Sequence, residues 1–167
     1  MDAPSPAAFL DYYEGIRSRT RRVVDCIPPE KFDWAPSPER WSFADLVRHL
    51  AAIERYLFAE NVAGRPSRYP GHGRELADGR EAVLDYFERL HGETVEILGG
   101  LDAAAFGRKC ETPGGISITT WKWLRAMVEH EVHHRGQIYL MLGLLGIETP
   151  PLYGLTSEQV RERSQSD

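Results

Sequence analysis

Cysteine is scarce in this chain. The two in 167 residues, Cys26 and Cys110, are far apart and form no C-x-x-C spacing. That excludes a disulfide framework and a thiolate zinc site, and leaves two reduced thiols acting as small hydrophobes. Positive charge is also short: lysine and arginine total 20 against 25 acidic residues, a net charge of −5, so there is no basic footprint for nucleic acid. No run approaches the roughly eighteen apolar residues of a membrane span. The start, MDAPSPAAF, lacks the basic and apolar stretches of a secretory leader. A cytoplasmic protein is expected. Neither an internal repeat nor a low-complexity tract is present. The composition, 42% hydrophobic and 27% charged, is ordinary for a globular protein, and the length suits a single domain over residues 1–167.

Proline and glycine are abundant, and they are clustered. Breaker-rich stretches at 27–41, 64–79, 107–120 and 146–154 leave segments of helical length at about 7–27, 43–63, 80–101 and 120–145, followed by a tail over 146–167. The first segment places Phe9, Tyr13, Ile16, Thr20, Val23 and Ile27 at alternating steps of four and three. The third does the same with Val83, Phe87, Leu90, Thr94, Ile97 and Leu101. Such seams belong to helices crossing at shallow angles, so an all-α four-helix bundle is predicted. Lys109–Thr119 could add a short hairpin around Pro113, Gly114 and Gly115 before the last helix. The second segment opens with Ser42 three residues before Asp45, an acidic capping box, with Trp41 placed to staple onto Leu46.

Histidines interrupt two of these seams. In the second segment His49 stands in line with Leu46, Ile53 and Tyr56. In the fourth, His130 and His134 stand in line with Trp123, Met127, Gln137, Met141 and Leu144. Side chains four apart on a helix are about 5–6 Å apart and can converge on one ion. Two buried imidazoles would otherwise each need a polar partner, and Gln137 is the evident one nearby. A metal site formed by His49, His130 and His134 is therefore expected. His72, in a Gly/Pro loop, and His91, one residue off its seam, are read as solvent-facing. His133 falls at the flank, beside the ligands or at an interface. Three imidazoles without a thiolate suit an open site for Zn²⁺ foremost, or for Ni²⁺, Co²⁺ or Fe²⁺.

His130, Glu131 and His134 also spell H-E-x-x-H, the zinc-protease signature. That chemistry needs a third ligand from a later segment, and no histidine follows His134. Glu148 and Glu158 lie in a turn and in the tail, and there is no sheet to hold an extended peptide. On a helical wheel Glu131 falls about 100° from His130, at the edge of the apolar stripe, while Arg135 falls on the polar side. The protease reading is set below the others.

The stretch W-S-F-A-D-L-V-R-H-L at 41–50, taken with H-E-V-H-H-R-G-Q at 130–137, resembles the DinB-like superfamily of damage-inducible four-helix bundle metalloproteins. The likeness extends from about residue 7 to 155. It implies a three-histidine centre at His49, His130 and His134, occupied by zinc or nickel, and a homodimer. It also implies, for some members, transferase chemistry with low-molecular-weight thiols. Gly136 costs roughly 1 kcal/mol in a helix interior relative to alanine. Close approach of another backbone would explain it, with Arg135 pairing across helices or across a dimer. Gln137 faces the site. Tyr56, Trp123 and Met141 either line a pocket or are plain core. Two functions remain in play: a metal-dependent small-molecule enzyme, either a thiol-dependent transferase or a hydrolase, and a non-enzymatic stress protein with a structural metal.

Overall fold

The computed structural model describes residues 5–165, so the first four and last two residues of the expected single domain and its tail lie outside it. Four long helices form the body: α1 (Pro6–Val24), α2 (Phe43–Ile53), α3 (Arg80–Gly99) and, after the short α4 (Ala103–Gly107), α5 (Thr120–Leu144). The tail carries one more, α6 (Ser157–Ser164), capped reciprocally by Thr156 and Gln159, which periodicity did not announce. None of the described helices is long and apolar enough to cross a membrane. The predicted hairpin is present as β1 (Lys109–Glu111) paired antiparallel with β2 (Ser117–Thr119), Cys110 opposite Ile118. Gly115 makes its tight turn at φ +73°, where a side chain would be strained. Both cysteines are free thiols.

The ends of the helices follow local chemistry. Ser5 caps α1 by accepting the Ala8 amide, with Pro6 in the first turn. The expected box at α2 forms, Ser42 accepting from the Asp45 amide while the Asp45 carboxylate accepts from the Ser42 amide. After Ile53 the helix widens into a π-helical stretch (Glu54–Ala59) before a last α-turn (Glu60–Val62), which no composition signal foretold. Gly146 ends α5 at φ +69°.

Each long helix touches two others. α1 packs on α3 and α5, and α2 packs on α3 and α5, so the sequence-adjacent α1 and α2 stand across the diagonal. The connection between them is laced to the start of α2, Phe43 N–H donating to Trp34 O and Ala44 N–H to Phe32 O.

The core is divided by a polar layer. One apolar cluster holds Val23, Phe43, Leu50, Phe87, Leu90 and Ile138; the other holds Phe9, Ile16, Phe58, Leu98, Leu124 and Met127. Between them lie Arg17, Thr20, Glu54, His91, Thr94, Glu131 and Arg135, all less than 5% exposed. Arg17 Nη1 sits 3.2 Å from Glu54 and 3.5 Å from Glu131, and its Nη2 donates to Phe87 O at 2.9 Å. Tyr13 and Thr20 hydroxyls each donate to Glu131 at 2.6 Å. Such charges are tolerated inside because each meets an opposite charge or a hydrogen-bonding partner.

This layer corrects three expectations. His91 does not face solvent: its two nitrogens lie 2.8 Å from Glu54 and 2.9 Å from Glu14. Burial alone would lower its pKa, but hydrogen bonds to the two carboxylates and the Glu54 charge leave it raised. Glu131 is not at the edge of the buried stripe but within it, facing α1. Arg135 is buried too, reaching across to donate to Ile16 O at 3.3 Å. The buried face of α5 therefore centres on Leu124, Glu131, Ile138 and Leu142, about 100° from the histidine pair.

Candidate metal centre

The three seam histidines meet where α2 passes α5. His49 Nε2 lies 3.0 Å from His130 Nε2, and ring centroids are 4.7 Å apart for His49 and His134 and 4.5 Å for His130 and His134. One nitrogen from each lies within 4.8 Å of the other two, and among the described residues no other group of three or more His, Cys, Asp or Glu gathers so closely.

Neighbouring groups fix two of the rings. His134 Nδ1 lies 2.7 Å from Gln137 Oε1, which can only accept, so Nδ1 carries the proton and Nε2 keeps its lone pair. The Gln137 amide in turn lies 3.3 Å from His133 Nε2, which places His133 beside the ligand set. His49 Nδ1 lies 2.7 Å from Tyr69 Oη, and that hydroxyl is 3.4 Å from His72 Nδ1. A proton donated by His49 to Tyr69 leaves Nε2 bare toward His130. Outer hydrogen bonds of this kind orient metal-binding imidazoles.

Burial, followed by the charges of His130, His134 and His72, pushes His49 down to about 3. Burial, followed by His134 and His133, pushes His130 down to about 4. Burial also lowers His134, against a smaller upward pull from Gln137. All three are thus held neutral, the form that ligates. Two nitrogens each about 2.0–2.1 Å from one ion stand about 3–3.5 Å apart. The 3.0 Å approach and the bare lone pairs fit a cation, and the donor set suits a divalent transition metal.

Several residues of the site lie in loops, beyond the reach of periodicity. The Trp41 ring lies 4.7 Å from His49, 4.1 Å from His72 and 5.9 Å from His134. His72 accordingly faces the site rather than solvent. Its loop is held by buried Arg48, which donates to His72 O at 2.8 Å and Ala77 O at 3.0 Å. A cleft of about 370 Å³ opens from His134 and Gln137, with Trp41, Leu46, Leu140 and Met141 among its walls. Of the other seam residues, Trp123 packs on Phe58, whose ring is 6.1 Å from His130, while Tyr56 lies beneath Arg68. A Cβ at Gly136 would meet nothing within 4 Å, so among the described residues no other segment's backbone approaches it.

Glu131, the residue a zinc protease would use as base, turns its carboxylate to Tyr13, Thr20 and Arg17 instead.

Comparison with known proteins agrees with this architecture. The model of the DinB superfamily matches residues 12–138. The uncharacterized protein YjoA of Bacillus subtilis is 25% identical over 148 residues, covering 87% of this chain and 94% of that protein. A DinB-like protein from Bacillus cereus superposes with a TM-score of 0.74 at 16% identity, over 90% of this chain and 99% of that one. YfiT from Bacillus subtilis, described as a probable metal-dependent hydrolase with an unusual four-helix bundle topology, gives 0.67 at 16% identity over 89% and 93%.

Proposed function

The chain belongs to the DinB superfamily, and on that premise we propose that it is a metal-dependent enzyme acting on a small molecule, with its ion held by His49, His130 and His134. One observation carries the reading: three neutral imidazoles converge with no fourth His, Cys, Asp or Glu joining them among the described residues, beside a cleft that could admit a substrate. A structural metal in a non-enzymatic stress protein would instead be closed by a fourth side chain. Zinc suits the donors best, with nickel, cobalt or iron as substitutes. Such an ion, when bound, supplies Lewis acidity and can bring water to a pKa of about 7 or ligate a thiolate.

The chain's own residues have narrower tasks. Gln137 and Tyr69 hold the His134 and His49 rings in the ligating tautomer. Trp41 packs its ring against His49 and His72 and forms part of the cleft wall beside His134. The description of YfiT favours hydrolysis; transfer with a low-molecular-weight thiol is the other version. Two tests separate them. A small thiol added to the Co²⁺-loaded protein should shift its visible absorption if thiolate binds opposite the histidines. Metal-dependent turnover on a panel of small esters and amides should appear if water does. Silence in the first removes the transferase version; silence in both removes the enzyme.

A second copy of the chain is the partner we propose. Val132, Gly136, Tyr139 and Gly143 form one exposed stripe on α5, opposite the histidine face, and both glycines leave open space for a neighbouring helix. Sedimentation should find a dimer at micromolar concentration, and Gly136→Glu should dissociate it; a wild-type monomer would end this assignment.

A further inference from the structure

We infer that the cleft beside the three histidines selects substrates with an uncharged apolar tail attached to the metal-binding head; this rests on the metal reading given above. His134, Gln137, Leu140, Met141 and Leu144 all line the cleft and all lie on α5. They run in that order from His134 to Leu144, about 15 Å of helix. The polar pair, His134 and Gln137, therefore stands at one end, and every α5 residue beyond it is apolar. Leu46 from α2 and Trp41 complete the apolar wall.

Leu140 and Leu144 are 65% and 64% exposed, the largest exposed apolar groups on α5. They lie about 40° and 80° round the helix from Gly136, on the side of the proposed stripe that turns toward the histidine face. The cleft volume of about 370 Å³ lies at the small end for ligand pockets. Glu39 and Arg40 also line the cleft. One charge of each sign gives no preference for an anionic or a cationic tail, while the leucines favour a neutral one. A molecule seated here would place its head at His134 and bury its tail against Leu46, Leu140, Met141 and Leu144.

Straight-chain hydroxamic acids test this, since the head chelates a metal while the tail length is varied. Binding of acetohydroxamate, butyrohydroxamate and hexanohydroxamate to the Zn²⁺-loaded full chain is measured by calorimetry, with Trp41-sensitive fluorescence as a second signal. Affinity should rise about two- to fourfold per added methylene through hexanohydroxamate. Leu140→Asp, at an exposed position, should flatten that series while leaving acetohydroxamate affinity within about twofold. Equal binding of all three acids to the wild type would overturn the tail assignment and leave the metal reading standing. A chain-length gain that survives in both Leu140→Asp and Leu144→Asp would also overturn it, placing the tail elsewhere. Failure of acetohydroxamate to bind the loaded protein would overturn both.

Discussion

Replacing Arg17 with methionine should destabilise the protein by about 3–5 kcal/mol, the usual cost of removing one partner from a buried ion pair. Arg17 is fully buried, and its guanidinium is the cation facing both Glu54 and Glu131. Burial alone would lower its pKa, but those two carboxylates raise it. Burial likewise pushes Glu54 upward, and the Arg17 charge and His91 pull it below the ordinary carboxylate value. Methionine fills similar space but leaves the two acids facing each other without their cation. Tm should fall by roughly 10 °C, at about 2–4 °C per kcal/mol for a chain of this size. Urea unfolding checks the free energy directly. Adding Glu54→Gln should recover part of the loss, because the stranded charge is then gone. A single variant within about 1 kcal/mol of wild type would mean the polar layer is not held together by its charges.

The same layer explains what the sequence could and could not reveal. The first seam is legible residue by residue: Phe9, Tyr13, Ile16, Thr20 and Val23 are buried on α1, and Ile27 is buried just past its end at Val24. Its spacing is regular and its apolar content high, so periodicity sufficed. On α5 the same procedure placed the buried face about a quarter-turn off. The helical wheel puts Glu131 at the edge of the apolar stripe and Arg135 on the polar side, whereas both point inward and are satisfied by α1. His91 was misplaced for the same reason, since its partners Glu14 and Glu54 lie 77 and 37 residues away. Charge predicts exposure only when no partner waits inside, and partners contributed singly by separate helices leave no local pattern. The histidines were legible because they broke apolar seams. Trp41, Tyr69 and His72 were not, because they come from irregular segments held by the distant side chain of Arg48 and by backbone bonds to α2.

The second large effect concerns His49. His130 and His134 share one helix, and two imidazoles alone make a weak site. The third nitrogen comes from a different helix, 81 residues away, and sits 3.0 Å from His130. Removing even an outer hydrogen-bond partner of a ligand typically costs 10–100-fold in metal affinity. Removing a whole ligand should cost more than that upper figure, so His49→Ala should lose stoichiometric binding. The bundle should survive the change, since the 7% exposed His49 ring lies on the flank of the core rather than in the polar layer. His133→Ala is the control: its ring meets Gln137 and His134 but lies outside the converging set, so metal content should stay near wild type.

Titrating Zn²⁺ into metal-stripped wild type, His49→Ala and His133→Ala by competition with a chromophoric chelator therefore tests the assignment most directly. The three-histidine centre predicts one ion per chain for wild type and His133→Ala, and an affinity more than a hundredfold weaker for His49→Ala. Full-affinity, one-to-one binding by His49→Ala would contradict it.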